Sequence, residues 1–312
     1  MRVLVTGARG FVGRHVVAAL HARGHSVVEA DHAVTDDALP IDVTDPLAVR
    51  GAFELARPDA VVHLAAQAFV PASIADPRAT FETNATGTLH VLDAAQAQAE
   101  EGLPPRVLVV SSADVYGAQP AASYPLRETT ATHAMNPYAA SKIAAEALAI
   151  AYARTYKLDV VVTRAFNHIG AGQDERFAVA AFAAQIARVA AGGDPLVSVG
   201  NLEAIRDFLD VRDVCAAYVA LIEGGGEAGE IYNVCSGVAT PMREVLRQLV
   251  TLARVAVEIR EDPARMRPAD VPVSVGDASK LRDATGWAPA IPLAAALRAV
   301  LDDARTRVQV TL

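Results

Sequence analysis

Residues 2–13 read RVLVTGARGFVG, and this stretch decides the fold. Arg2 to Thr6 is a short β-branched run. Beyond the glycines, apolar residues recur at helical spacing through Val16, Val17 and Leu20, so the order is strand, tight turn, helix. Gly7 allows the turn, Gly10 lets a pyrophosphate approach the backbone, and Gly13 lets the helix pack on the strand. The helix N-terminus adds free N–H groups and positive potential. The spacing, GxxGxxG, is one residue longer than the common dinucleotide fingerprint. Such glycines can serve only to shape a turn, but the flanking strand and helix favour a dinucleotide site. The candidate coenzyme contacts here are Gly7, Arg9, Gly10, Phe11, Val12 and Gly13.

The second strand, Ser26 to Ala30, ends at Asp31, where a carboxylate accepts hydrogen bonds from an adenosine ribose. An acid there argues for NAD because it repels a 2′-phosphate. Arg9 in the turn and His32 next door could tolerate that phosphate, so both NADH and NADPH stay open. Asp42, with Val43 beside it, follows the expected third strand. It is either an adenine contact or a helix cap competing with Thr44 and Asp45.

Ala60 to Leu64, Arg106 to Ser111 and Asp159 to Arg164 are nearly continuous apolar runs, as in parallel strands covered on both faces. Helical stretches separate them. Two of these, 76–98 and 137–156, are apolar around much of their circumference, which predicts burial against a second subunit as well as the sheet. The alternation predicts a doubly wound parallel α/β sheet, with ligands outside the carboxyl ends of the strands. After residue 165 the rhythm loosens into shorter elements. A coenzyme domain over 1–165 and a smaller mixed α/β substrate lobe over 166–312 are expected, with segments near 200–235 returning to the core. No internal repeat is present.

The 312 residues carry a formal net charge of −8, which leaves no basic footprint for nucleic acid, and no polybasic segment or long apolar run suggests a membrane. The partner expected is a small molecule. The chain opens directly on a strand without a secretory leader pattern, which predicts a cytoplasmic protein. Cys215 and Cys235 have no metal-ligand spacing and read as reduced core residues; the histidines form no ligand set, so no metal is expected.

Tyr138 and Lys142 lie four residues apart in NPYAASK, on one face of a helix. An ammonium beside a phenol favours the phenolate, and lowering a tyrosine by about three pKa units takes about 4 kcal/mol, within reach of a lysine in a desolvated cleft. Such pairs also occur on plain solvated faces. Ser111 and Ser112 stand at the end of a strand. A serine there can hydrogen-bond a substrate carbonyl while Tyr138 gives a proton and a nicotinamide delivers hydride, although serines at such places are also turn or cap residues.

GARGFVG, VVHLAAQ, NATGTLHVLDAA, SSADVYG and PYAASK occur here in the order found in extended short-chain dehydrogenases/reductases acting on nucleotide sugars, and the chain resembles that family over nearly its whole length. RAFNHIGAGQ, GNLEAIRDFLDVRDV, ARMRPADVP and SKLRDATGWAP make it similar to the GDP-4-dehydro-6-deoxy-D-mannose reductases, which make GDP-D-rhamnose. The resemblance implies a Rossmann-like fold, NADPH or NADH as coenzyme, a homodimer, and a catalytic triad of Ser112, Tyr138 and Lys142. It further implies coenzyme contacts at Leu64, Ala65, Ala66, Tyr138 and Lys142, and support of the active-site helix by Asn84. Substrate contacts are implied at Ser112, Asp114 and Asn167, with Arg206 and Arg267 clamping the diphosphate, unless these arginines are merely ion-paired beside Asp207 and Asp270.

Related 4,6-dehydratases place a threonine and an acid pair, or a serine and a glutamate, where this chain has Ser112, Ala113 and Asp114. Eliminating water needs a base for the C5 proton and an acid for the leaving hydroxyl; Ala113 can be neither, and Asp114 is a methylene short. A 4-epimerase uses the same triad with a tightly held NAD, and a reductase forming GDP-6-deoxy-talose differs only in the ketone face attacked. A non-catalytic NAD(P)-binding sensor is the remote alternative, against which all three triad residues speak.

Overall fold

The computed structural model describes residues 1–32, 38–266 and 271–311, and of residues 310 and 311 the backbone only. The first half alternates strands and helices: β1 (Arg2–Thr6), α1 (Phe11–Ala22), β2 (Ser26–Asp31), β3 (Leu39–Pro40), α2 (Pro46–Ala56), β4 (Ala60–His63), α3 (Val70–Ala75), α4 (Pro77–Phe81), α5 (Gly87–Glu100), β5 (Arg106–Ser112), α6 (Pro137–Tyr156) and β6 (Val160–Ala165). The second half holds β7 (Asn167–Ile169), α7 (Ala178–Ala190), β8 (Leu196–Val199), β9 (Ile205–Asp210), α8 (Val211–Ile222), β10 (Ile231–Val234), β11 (Ala239–Pro241), α9 (Met242–Ala253), β12 (Glu258–Glu261), β13 (Val273–Ser274), α10 (Ser279–Thr285) and α11 (Leu293–Thr311).

Seven parallel strands form the main sheet in the order β3-β2-β1-β4-β5-β6-β10. Strand order reverses between β1 and β4, and the carboxyl ends on either side of that point open a crevice. Every residue of β4 and β6 is buried because helices cover both faces. Val16, Val17 and Leu20 of α1 pack with Val214, Tyr218 and Ile222 of α8 on one face. Phe53 of α2, Val91 and Leu92 of α5 and Ala149 of α6 form the core of the other. Thus α8 and β10, from far along the chain, complete the layers begun by the first half.

A separate core joins Phe182 and Ile186 of α7, Val245 and Leu249 of α9, and Leu297, Val300 and Leu301 of α11. Beside it lies a four-stranded sheet in which β9 is flanked by β11 and β13 and also pairs with β7. Among the described residues, no helix is long and apolar enough to cross a membrane.

The helical stretch expected over 76–98 is not one regular helix. Asp76 caps α4 by accepting from the Ala79 amide at 2.9 Å, and a π-helical turn, Glu82–Thr86, then separates α4 from α5. That extra residue per turn swings Asn84 inward, a reorientation that 3.6-residue periodicity does not encode. By contrast α6 has the bounds read from the sequence. Asn136 accepts from the Ala139 amide at 2.8 Å, Pro137 fills the first turn, and Lys157 ends the helix in the left-handed conformation.

Candidate active site

The glycine turn between β1 and α1 is built as its sequence requires, with a different weight on each glycine. Gly7 has φ +69, and a Cβ there would lie 2.8 Å from the Ala65 nitrogen; a Cβ on Gly13 would lie 2.2 Å from the Gly7 carbonyl oxygen. Neither position admits a side chain. At Gly10 a Cβ would lie 3.2 Å from the Gly7 carbonyl oxygen, a tight contact short of the overlaps at the other two glycines. Gly10 is the N-cap of α1 and no side chain caps that helix, which directs the first-turn amides toward an anion. Leu64, Ala65 and Ala66 follow β4 directly beneath this turn.

The Asp31 carboxylate, 5% exposed, accepts from the Arg9 amide at 2.9 Å and lies 3.1 Å from Nδ1 of His32. The Arg9 guanidinium does not stand open for a phosphate: its Nε is 3.1 Å from Glu29 of β2. Glu29 was missed in the sequence, where it reads as one polar residue of a strand; its place two residues before Asp31 was the available signal. Asp42 is exposed and accepts from the Thr44 amide and hydroxyl at 2.9 and 2.7 Å, so its carboxyl is held below the usual range. The cap of α2 is Asp45, which accepts from the Leu47 amide. Val43 is buried beside Asp42.

Ser112 ends β5 and caps a short 3₁₀ turn, Ala113–Tyr116, accepting from the Asp114 amide at 3.2 Å. Tyr138, in the first turn of α6, lies beside Ser112, which favours its ionised form. Lys142 lies one turn further on and donates to the Val110 carbonyl at 2.9 Å. The expectation that Lys142 depresses the Tyr138 pKa is not met. Burial pushes the phenol above its ordinary value, the Asp114 charge adds to this, and the neighbouring Ser112 opposes it. The physical reason is that Tyr138 is buried, and desolvation penalises the phenolate. Lys142 is itself lowered to about 8 by burial, against the pull of Glu146.

Asn84, in the π turn, ties the wall together. Its Nδ2 donates to the Gln67 carbonyl and to Ser141 Oγ, both at 2.9 Å, its Oδ1 accepts from the Gln67 amide at 2.8 Å, and Ser141 donates to the Tyr138 carbonyl. A second chain runs below: Thr6 and Nδ1 of His63 are 2.8 Å apart, Nε2 of His63 is 3.1 Å from Thr88, and Thr88 donates to the Asn84 carbonyl. Burial lowers His63 to about 3, keeping it neutral.

On the opposite side, Asn167 opens β7 and is exposed, while Arg206 lies on β9. Asn167 pairs with Phe208, two residues from Arg206, so Asn167 and Arg206 share a face of the small sheet. Arg206 donates to the Ile205 carbonyl at 2.9 Å. Asp207 points the other way, accepting from Ser236 N, Ser236 Oγ and Gly237 N, and so does not form the ion pair considered from sequence. Arg267 and Asp270 lie outside the described residues.

Aromatic contacts between the two halves carried no sequence signal. Phe11 of the glycine turn stacks on His168 of β7 at 6.2 Å, and Phe69, after β4, meets Phe177 at the start of α7 at 5.9 Å with Arg176 over its ring. Cys215 and Cys235 are buried free thiols, and no metal-ligating cluster occurs among the described residues.

The sequence profile of the GDP-mannose 4,6 dehydratase family matches residues 4–300. The chain belongs to this family. This GDP-mannose 4,6 dehydratase family member is 42% identical over 309 residues to the GDP-6-deoxy-D-mannose reductase of Pseudomonas aeruginosa, covering 99% of this chain and 98% of that protein. To the GDP-6-deoxy-D-talose 4-dehydrogenase of Aggregatibacter actinomycetemcomitans it is 30% identical over 286 residues, 92% of each. The structure of RMD from Pseudomonas aeruginosa complexed with NADPH superposes with a TM-score of 0.88 at 39% identity, over 98% of this chain and 100% of that one. Unlike the 4,6-dehydratase pattern described above, this family member has the buried apolar Ala113 between Ser112 and Asp114.

Proposed function

We propose that the protein reduces the 4-keto group of GDP-4-dehydro-6-deoxy-D-mannose to GDP-D-rhamnose with NADPH or NADH. The observation that carries the reading is Tyr138 beside Ser112 and held as a phenol, in a chain alike over its full length to a GDP-6-deoxy-D-mannose reductase. A ketone reductase needs its acid protonated before hydride arrives.

The backbone cradle of Gly7, Gly10 and Gly13, the amides of Phe11 and Val12, and Asp31 fit a dinucleotide, with Asp42, Val43, Leu64, Ala65 and Ala66 along its length. Bound NAD(P)H supplies the hydride. Ser112 donates to the ketone oxygen and fixes its direction; Tyr138 gives its proton to the same oxygen as negative charge develops there. Lys142 lends positive charge to the coenzyme side, and Asn84 holds α6 in place through Ser141. Asp114, Asn167, Arg206 and Arg267 would bind the nucleotide sugar, the arginines at its diphosphate. Ala113 offers no base for C5, which disfavours elimination.

This reading divides the work between a coenzyme domain over 1–165 and a substrate lobe over 166–312, with α8 and β10 serving the first. It also takes the protein to be a cytoplasmic homodimer. Phe81 and Tyr156 of the α4 to α6 wall are 48% and 51% exposed, and Cys215 and Cys235 are reduced.

The experiment is to supply GDP-4-dehydro-6-deoxy-D-mannose with NADPH, follow oxidation, and determine the C4 configuration of the product by NMR coupling constants. Oxidation with large H3–H4 and H4–H5 couplings supports the reading. Small couplings would replace GDP-D-rhamnose by the talo isomer, and binding without oxidation over hours would replace the enzyme by a sensor.

A further inference from the structure

Beyond the candidate triad along α6 lies a buried ion pair that the proposed chemistry does not use. Glu146 of α6 and Arg164 of β6 are each 4% exposed. Glu146 Oε2 accepts from a terminal nitrogen of Arg164 at 2.7 Å, and Oε1 accepts from Arg164 Nε at 2.9 Å and from Ser111 Oγ at 2.6 Å. Arg164 also donates to the Glu128 carbonyl at 3.2 Å, and its guanidinium lies 4.7 Å from the centre of the Tyr116 ring. The Tyr116 hydroxyl in turn donates to Asn233 of β10 at 2.7 Å.

A buried pair of this kind is a poor device for stability alone, since well-packed apolar residues of similar size are often equal or better. Its position suggests another use. Glu146 follows Lys142 by four residues, one helical turn along the same inward face of α6. Ser111, which Glu146 holds, adjoins Ser112. We propose that Glu146, anchored by Arg164 and Ser111, is a positioning residue that keeps Lys142 in its ammonium form within the wall of the active site. The inference rests on the ketoreductase reading for its purpose, but it is a statement about Lys142 that is measured without turnover.

The groups facing Lys142 leave Glu146 as its support. From β4 comes His63, kept neutral by burial. From α6 itself comes Tyr138, kept a phenol; Asp114, from the 3₁₀ turn, acts on Tyr138. From β5 comes the Val110 carbonyl, at 2.9 Å. From β6 comes Arg164, whose charge is directed onto the Glu146 oxygens. Burial drives Lys142 toward the neutral amine and brings it down to about 8, and Glu146 is the group that opposes the fall. With the carboxylate gone, a lysine so enclosed approaches the range of about 5–6 reached by unsupported buried lysines. An amine in that state carries no charge at neutral pH and offers nothing to the coenzyme side.

The sequence contains three lysines, Lys142, Lys157 and Lys280, which makes a direct measurement practical. The full-length protein is labelled with ¹³C-lysine, the Lys142 Cε resonance is assigned by its loss in Lys142→Arg, and its pH midpoint is followed. In the unmodified protein the midpoint is expected near about 8. In Glu146→Gln/Arg164→Gln, where two neutral amides replace the pair and Ser111 keeps an acceptor, it should fall by about one unit or more. The alkaline limb of kcat for NADPH oxidation should move down with it. An unchanged midpoint in a folded double variant makes the pair a purely structural strut and overturns the proposal. If the double variant does not fold, the unmodified protein decides: a Lys142 midpoint of about 6 or below means that Glu146 gives no support. Loss of the reductase reading is seen separately, as a protein in which the Lys142 shift occurs but no keto-sugar nucleotide is reduced.

Discussion

Tyr138 concentrates the chemistry at the residue scale. It lies beside Ser112, and its pKa is raised chiefly by burial, which suits it to the proposed role of acid. Tyr138→Phe should reduce turnover by about 10² to 10⁴ while coenzyme affinity, read by fluorescence titration, stays within a few fold. A variant as active as the parent would remove Tyr138 from the mechanism. Glu29 matters for another reason. Its ion pair engages the guanidinium of Arg9, the residue whose amide Asp31 holds, so Glu29→Gln should release that guanidinium and raise kcat/KM for NADPH relative to NADH. No change in the ratio of the two coenzymes would mean that the ribose is read elsewhere.

At the scale of elements, the β1-to-α1 turn and the π turn do the positioning. The turn brings α1 so close to β1 that an alanine at Gly13 would put its Cβ 2.2 Å from the Gly7 carbonyl, whereas at Gly10 the same change meets an oxygen at 3.2 Å. Gly13→Ala should therefore lose coenzyme binding together with several degrees of Tm. Gly10→Ala should fold normally and weaken only the coenzyme. Calorimetry with and without NADPH separates the two, and equal loss of Tm in both would contradict this division of roles. The π turn acts across the crevice, because turning Asn84 inward gives α6 an anchor that a regular helix would have pointed elsewhere.

For the molecule as a whole, the two halves meet at the crevice and each should fail in its own way. Arg206 belongs to the small sheet around β9, a different element from the glycine turn. Arg206→Ala should raise KM for the nucleotide sugar by about tenfold, the loss of one charge-assisted partner, and leave the NADPH Kd unchanged. Equal weakening of both ligands would refute the division into lobes. Global stability should also depend on His63. Its folded pKa is depressed to about 3 from 6.5, so below pH 6.5 the unfolded chain binds a proton that the folded protein refuses. Its contribution is present above pH 6.5 and is lost as pH falls toward 3, by roughly 4 kcal/mol at most. Urea melts at pH 7, 5 and 4 should show this decline, and His63→Gln should flatten it. An equally steep decline in the variant would assign the acid sensitivity to other groups.

The sequence by itself determined the parallel sheet, the glycine turn and the spacing of Tyr138 and Lys142. Strand runs, helical periodicity and steric demands for glycine are local, and each is complete within a dozen residues or so. Tertiary structure decided everything that depends on what comes to lie alongside. Asn84 reaches Ser141 across 57 positions and Arg164 reaches Glu146 of α6 from strand β6. The small sheet turned Asp207 away from Arg206 through the alternation of β9. The direction of the Tyr138 shift was decided in the same way. A helical spacing specifies which residues share a face but not how much water is left around them, and in this crevice the loss of water raises the Tyr138 pKa.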